Sequence, residues 1–189
     1  MGSISLKYKS KSGNLTAPGD VDPGAMIPIA TITTGTGNFS FTSIPDTYQH
    51  LQLRIKFNTT NAGGNLGLYF NNAPGTAIYS YHGLSGTGAA ATVSAVTSDS
   101  SIGLFYTANG FTATYPNVAI INIYDYSSTT KNKTLRSFAG TNNNSTTGEV
   151  HFESGLWAST SAINRIDSSF MSGNSNVSYA LYGIKRAGA

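Results

Sequence analysis

A strict two-residue alternation of apolar and polar side chains marks residues 50–58, which read HLQLRIKFN. The apolar positions of this segment all fall on one side: Leu51, Leu53, Ile55 and Phe57. A period of two is typical of a β-strand that turns one face to a core and the other to water. The segment therefore predicts a pleated sheet that is half-buried, and it is incompatible with an amphipathic helix.

Other short segments with strand character are spaced along the chain as in an all-β sandwich. The predicted strands are 26–34, 38–44, 50–58, 66–71, 76–82, 101–106, 117–126, 133–140, 149–158, 163–170 and 177–184. Turn-forming residues are dense between many of them. We expect residues 83–99, which are rich in Gly, Ala, Ser and Thr, to form a long loop or an irregular edge. For residues 160–171 a strand or a single turn is favoured over a helix.

The number of strands predicts an all-β fold, namely an antiparallel β-sandwich of jelly-roll type with an extended N-terminal arm. A length of 189 residues suits one well-cored domain, which we place at residues 26–189. Only 10% of the residues are charged, against about 25% in an average globular domain. Polarity comes instead from Ser, Thr, Asn and Gly, which favours sheets and turns over long exposed helices.

Residues 1–25 have few large apolar side chains, and their prolines and glycines exclude a regular helix or a central strand. We expect this arm to lie on the surface of another protein and to anchor the chain there. The alternative is an arm that folds back across its own domain. The candidate anchoring residues are Lys7, Tyr8, Lys9, Lys11 and Leu15. The three lysines fall on one side of an extended arm and suit an acidic groove, or else they are simply solvated.

Composition argues against several classes of partner and of site. The net charge is only +3 and the basic residues are scattered, so no nucleic acid partner is expected. No apolar run reaches the 18 or so residues of a membrane span, and no signal sequence is recognisable at the N-terminus. The chain has no cysteine, so disulfides and thiolate metal sites are excluded.

Few residues are suited to catalysis. Glu149, His151 and Glu153 share one face of a predicted strand, with Val150 and Phe152 on the other. The two glutamates lie about 13 Å apart along a strand, whereas paired glycosidase carboxylates lie about 5–9.5 Å apart. We interpret this face as charged and solvated, and we predict no catalytic residue, no cofactor and no metal site.

Two aromatic features have structural and functional interpretations. Tyr79 and Tyr81 lie on one face of a predicted strand and His82 on the other. Cross-strand aromatic packing with a hydrogen-bonded histidine is the first interpretation. The alternative is a platform on which these three residues contact a neutral glycan. We expect Trp157 to fill the core and Asp125 to be a hydrogen-bonded anchor at the end of a strand.

Several stretches of the chain resemble a family of small virion structural proteins from tailed bacteriophages, many of them marine or cyanobacterial. They read SLKYKSKSGNLTAPGDVDPGAMIPIATITT, SIPDTYQHLQLRI, YSYHGLSG, INIYDYSSTTKNKTLRSFAG, SGLWASTSAINRI and YALYGIK. The resemblance runs from Leu6 to Lys185 and is weakest across residues 83–115. It implies a place on a virion, and it defines no catalytic or binding residue that carries over to this chain.

The resemblance and the arm together imply a non-enzymatic structural protein, assembled in the host cytoplasm and then displayed on the particle. The first expectation is a component of the tail, baseplate or fibre, with contact to host-surface glycans as an option. The alternatives are a capsid decoration protein (a cement or head-fibre protein) and a free lectin-like or glycan-cleaving module. The expected partners are other virion proteins, reached through residues 1–25, and copies of the chain itself. A trimer is favoured by analogy with phage appendages.

Overall fold

A computed structural model of the chain describes residues 25–34, 38–59, 64–74, 77–107, 114–142, 144, 148–169 and 174–186. Within these ranges all regular structure is β-strand, which confirms the predicted all-β class. The strands are β1 (Met26–Thr34), β2 (Ser40–Phe41), β3 (His50–Thr59), β4 (Gly64–Phe70), β5 (Tyr79–Gly86), β6 (Ala91–Asp99), β7 (Ile102–Thr107), β8 (Asn117–Tyr124), β9 (Lys133–Thr141), β10 (Glu149–Trp157), β11 (Ile166–Ser169) and β12 (Asn174–Ile184).

The strands form two antiparallel sheets. The large sheet has the order β1-β12-β3-β8-β9-β10-β5-β6, and the small sheet has the order β2-β11-β4-β7. Side chains of the two sheets meet in one core. The ring centroids of Phe70 and Trp157 are 5.4 Å apart, and those of Phe39 and Tyr179 are 4.2 Å apart. This is the two-layer arrangement of a sandwich, while jelly-roll connectivity stays a prediction.

The core confirms the alternation that the sequence shows in β3. Its four apolar residues are at most 3% exposed, while the alternate residues Arg54 and Lys56 are exposed. The small sheet contributes its own alternate positions to the same core: Leu66, Leu68, Phe70, Ile102 and Leu104. Trp157 is 3% exposed and stacks on Tyr79, which confirms its predicted place in the core.

Residues 83–99 do not form the long loop that was one of the two expectations; they form an edge of the large sheet with a register shift, in agreement with the other. β5 continues to Gly86, and after a tight turn the chain returns as β6, Ala91–Asp99. β6 is exposed at most of its positions, so it is held by the backbone ladder to β5 and its side chains bury little surface. Within residues 160–171 the strand β11 confirms that a helix was correctly rejected.

The predicted arm, residues 1–25, lies outside the described residues except for Ala25, and so do the anchoring residues predicted in it: Lys7, Tyr8, Lys9, Lys11 and Leu15. The carbonyl of Ala25 accepts a hydrogen bond of 2.9 Å from the backbone N–H of Lys185. This bond extends the pairing of β1 with β12 by one step beyond Met26. The chain therefore enters the large sheet at its β1 edge.

Gly155 marks a close approach of the two sheets, and its substitution tests this packing. A Cβ added at Gly155 would lie 2.6 Å from Cγ2 of Ile102 and 3.1 Å from Cδ1 of Leu135. We expect Gly155→Ala to lower the free energy of unfolding by about 1–3 kcal/mol in a urea titration, because the layers must separate. Gly140→Ala is the control, since a Cβ added there would be 3.5 Å from its nearest neighbour. Equal stability of the Gly155→Ala variant and the wild type would contradict this packing.

Candidate functional site

A row of apolar side chains crosses the outer face of the large sheet, which is the face turned away from the small sheet. Each member is the register partner of the next on the adjacent strand. We call this set the apolar row, and its members are Ile120, Phe138, Phe152, Leu84 and Val93. Their side chains are between 40% and 78% exposed. The row therefore runs without a polar interruption across β8, β9, β10, β5 and β6.

The centre of the apolar row is aromatic. The rings of Phe138 and Phe152 lie 4.8 Å apart between centroids and are tilted by 35°. Adjacent strands are about 4.8 Å apart, so a row across five strands is about 19 Å long. Single exposed apolar residues are ordinary on protein surfaces, whereas a contiguous patch marks a site of interaction. The continuity of the row is what makes it a candidate functional site.

A shallow depression of about 780 Å³ lies beside the row, toward one end of the strands. The next set of register partners in that direction is Val118, Gly140, Val150 and Gly86. Gly140 and Gly86 contribute no side chain, so the surface sinks between the two valines and again beyond Val150; Val118 and Val150 are 53% and 48% exposed. The row and the depression together form a ridge and a trough to which a partner surface can be complementary.

Polar and basic residues border the row on its other side. The register partners there are Asn122, Arg136, Ser154 and His82. His82, Arg136 and Phe152 also line a smaller depression of about 310 Å³. Among the described residues of β3, β8, β9, β10 and β5, the charged side chains on this face at neutral pH are basic: Arg54, Lys56 and Arg136. A well-matched partner surface would carry carboxylates around an apolar centre.

The residues considered for catalysis lie inside the sandwich, so the prediction of a solvated charged face was wrong. Glu149 is 7% and His151 is 4% exposed, while Val150 and Phe152 point outward. Nε2 of His151 lies 3.0 Å from Oε2 of Glu149, and Nδ1 lies 3.9 Å from Oε1 of Glu153. The predicted alternation of β10 is correct, but the face that turns inward is the opposite of the predicted one.

Glu153 completes this interior cluster. Its Oε2 accepts a hydrogen bond of 2.7 Å from the hydroxyl of Ser137, whose oxygen is also 3.4 Å from the carbonyl of Leu104 on the small sheet. Burial raises the pKa of Glu153 to about 8, against the opposing effect of the Ser137 hydrogen bond. The carboxyl group therefore keeps its proton at neutral pH. Because its members are buried, the cluster bonds the layers to each other and offers little to a substrate.

The tyrosines proposed as a glycan platform also point inward. Tyr79 is 1% exposed, and its hydroxyl accepts a hydrogen bond from the Phe70 N–H and donates one to the Ala73 carbonyl. The ring of Tyr81 lies over Gly103, and its hydroxyl is 3.3 Å from Oδ2 of Asp99. A glycan platform on these two rings does not fit their positions, whereas aromatic packing does. Of the three residues, only His82 is exposed on the outer face.

Asp125 is the strand-end anchor that the sequence suggests. Its backbone N–H donates to Nδ1 of His50 at 3.0 Å, and its Oδ2 accepts a hydrogen bond of 2.9 Å from Nζ of Lys131. The hydrogen bond from Lys131 is the main cause that lowers the pKa of Asp125. The residue has a φ of +49°, so these contacts hold a tight turn after β8.

The described part of the chain contains neither a cluster of metal ligands nor a helix that could cross a membrane. No group of three or more His, Asp or Glu side chains there is arranged to hold a metal ion. The same residues contain no helix with the length and apolar character needed to cross a bilayer.

Comparisons of the chain with family models, with curated proteins and with solved structures find no match. The resemblance to virion proteins thus has no support beyond the sequence stretches in which it was found. The geometry of the outer face is the independent observation on which a function can be argued.

The raised pKa of Glu153 gives a pH-dependent stability. Between pH 4.5, the ordinary pKa of the group, and about 8, the unfolded chain releases a proton that folded Glu153 keeps. The contribution of Glu153 to the free energy of unfolding therefore falls as the pH rises through this window, by at most about 1.4 kcal/mol per pH unit. We expect Glu153→Gln to remove this component, as measured by urea unfolding at a series of pH values.

The neighbouring ionisable side chains His151, Tyr81 and Asp99 are kept in this variant, so the comparison with the wild type changes only the carboxyl group of Glu153. Asp46→Asn, at an exposed carboxylate, is the control and should leave the slope unchanged. Parallel curves for the wild type and Glu153→Gln would show that Glu153 titrates normally in the folded protein.

Proposed function

We propose that this chain is a non-enzymatic structural protein of a tailed-phage virion, displayed on the particle and held there by contacts with other proteins. The observation that carries the proposal is the apolar row, which is exposed across five adjacent strands. The resemblance of the sequence to phage virion proteins is the reason for proposing a virion as the assembly that the chain joins. Residues 1–25 are expected to supply a second attachment, because their composition suits an arm that lies on another protein.

The shape of the outer face favours contact over chemistry. Enzyme sites are usually concave and bring a few polar groups together around a substrate. The centre of this face is instead a raised row of apolar side chains, with the rings of Phe138 and Phe152 in the middle. The acid–base groups Glu149 and His151 are buried on the inner face of β10, the strand that carries Phe152 on its outer face. A broad apolar ridge with a basic border is suited to covering by another protein.

The place on the virion is proposed as the tail, baseplate or fibre, with capsid decoration as the alternative. Both use the same surface, so the copy number per particle distinguishes them. Quantitative mass spectrometry against the major capsid protein would give few copies for a tail component and a number near that of the capsomers for a decoration protein. In either place we expect copies of the chain to associate, with a trimer favoured by analogy.

Contact with host-surface glycans is the second candidate activity, and one observation favours it. His82, Arg136 and Phe152 line the depression of about 310 Å³, which offers an aromatic ring beside hydrogen-bond donors. A free lectin-like module would use the same depression without a virion. Binding to a glycan array by the purified chain, with no incorporation into particles, would favour that alternative.

Removal of the two central rings tests the main proposal. We expect the double variant Phe138→Ser/Phe152→Ser to fold but to lose most of its incorporation into particles. Both rings are about half exposed, so the fold depends on them little, whereas a buried contact would lose two large apolar groups. The measurement is the amount of the variant in purified particles, compared with the wild type when each complements a deletion of the gene.

Tyr124→Ser is the control, because it removes a partly exposed ring from the same face outside the apolar row. It should be incorporated normally, and circular dichroism should show that all variants are folded. Wild-type incorporation of the folded double variant would contradict a role of the outer face in assembly.

A further inference from the structure

β6 is an edge of the large sheet, and it lacks the usual protection of an edge strand. In the described chain it pairs with β5 alone. Edge strands present unpaired N–H and C=O groups, and proteins commonly block them with charged residues or proline. Residues 91–98 read ATVSAVTS, without either, and the one charged residue of β6 is its last, Asp99. By contrast, β1 at the opposite edge contains Pro28 within the strand. The register shift in β6 is confined to the part of the strand after Val96.

The backbone groups at the centre of β6 point to the open edge. The N–H of Thr87 donates to the carbonyl of Ala90 at 3.0 Å, which makes these two residues a hydrogen-bonded pair. Hydrogen-bonded and non-hydrogen-bonded pairs alternate in an antiparallel ladder. With the register of β5 and β6, the alternation directs the N–H and C=O groups of Ala91, Val93 and Ala95 away from β5. A strand added at this edge would meet three residues ready to pair.

The side chains of β6 are nearly symmetric about Val93. Ala91 and Ala95 are identical, and Thr92 and Ser94 both carry a hydroxyl. In an antiparallel pair of two β6 strands centred here, Val93 faces Val93, each Ala91 faces an Ala95, and each Thr92 faces a Ser94. Apolar side chains would meet on the outer face and hydroxyl groups on the other, and both kinds of cross-strand pair are favourable.

We propose that β6 pairs with β6 of a second copy of this chain, antiparallel and centred on Val93. A two-fold axis then joins two large sheets into one continuous sheet. Val93 is the last member of the apolar row, so the rows of the two copies meet at the axis and double in length. A strand of another protein would satisfy the backbone groups, but the symmetry of the side chains selects a second copy.

The pairing predicts a two-fold dimer in place of the trimer that analogy with phage appendages favours. It leaves the outer face uncovered and does not depend on the proposed virion function. A result that overturns the β6 pairing therefore leaves the proposed virion function standing, and the reverse also holds. Light scattering after size-exclusion chromatography of the full chain is the first measurement, and it should give the mass of a dimer over a wide range of concentrations. A monomer or a trimer would overturn the proposal.

Charge substitutions at Val93 give the sharper test. Its side chain is 78% exposed, so Val93→Lys and Val93→Glu should fold, but each places like charges opposite each other across the axis. Each variant alone should be a monomer, and an equal mixture of the two should recover the dimer, because an ammonium group of one chain then faces a carboxylate of the other. Thr31→Lys, at an exposed position of the opposite edge, should remain a dimer. A dimer that persists in Val93→Lys, or a mixture that stays monomeric, would overturn the pairing.

A single cysteine locates the axis directly, because the natural chain has none. Hydrogen-bonded antiparallel partners have Cα atoms about 5.5 Å apart, which is within the range of a disulfide. Val93→Cys should form a disulfide-linked dimer under mild oxidation, seen on a non-reducing gel, while Thr31→Cys should not. Equal cross-linking of the two variants would exclude a contact centred on Val93.

Discussion

The packing of the small sheet against one face of the large sheet decides the chemistry of both faces. At one close approach of the sheets Ile102 lies over Gly155, where a side chain would not fit between the layers. Because strand side chains alternate with a period of two, this contact assigns every other residue of β8, β9 and β10 to the interior. The remaining residues, Phe138 and Phe152 among them, are left on the outside. The exposed row is thus a direct consequence of which face the small sheet covers.

The same assignment places polar groups where apolar ones would be more stable. Glu149 and His151 occupy the inner face and contact each other, and Glu153 keeps its proton because of burial, against the opposing effect of the hydrogen bond from the Ser137 hydroxyl. A buried polar network of this kind contributes little to stability compared with an apolar core. Aromatic rings exposed outside and acids buried inside are the opposite of what a free-standing domain favours. This inversion is explained if the outer face is covered by a partner.

Alternation alone was sufficient to locate most of the strands, and it placed β3 and the core position of Trp157 correctly. It could not decide which face of β10 turns inward, because a period of two is the same for both faces and the answer depends on the small sheet. β6 was missed for a related reason. With both of its faces largely exposed, Ala91–Asp99 has no apolar period, and only its backbone pairing with β5 makes it a strand. The inward turn of Tyr79 and Tyr81 likewise depends on residues of the small sheet, Phe70 and Gly103.

Burial of the apolar row in the assembled particle is the central claim. The most direct measurement is hydroxyl-radical footprinting of Phe138 and Phe152 in the purified chain and in the purified particle. Both rings are about half exposed in the chain and should be labelled readily there. In the particle their labelling should fall several-fold, whereas exposed residues outside the row should change little. Equal labelling of the two rings in both states would contradict the claim.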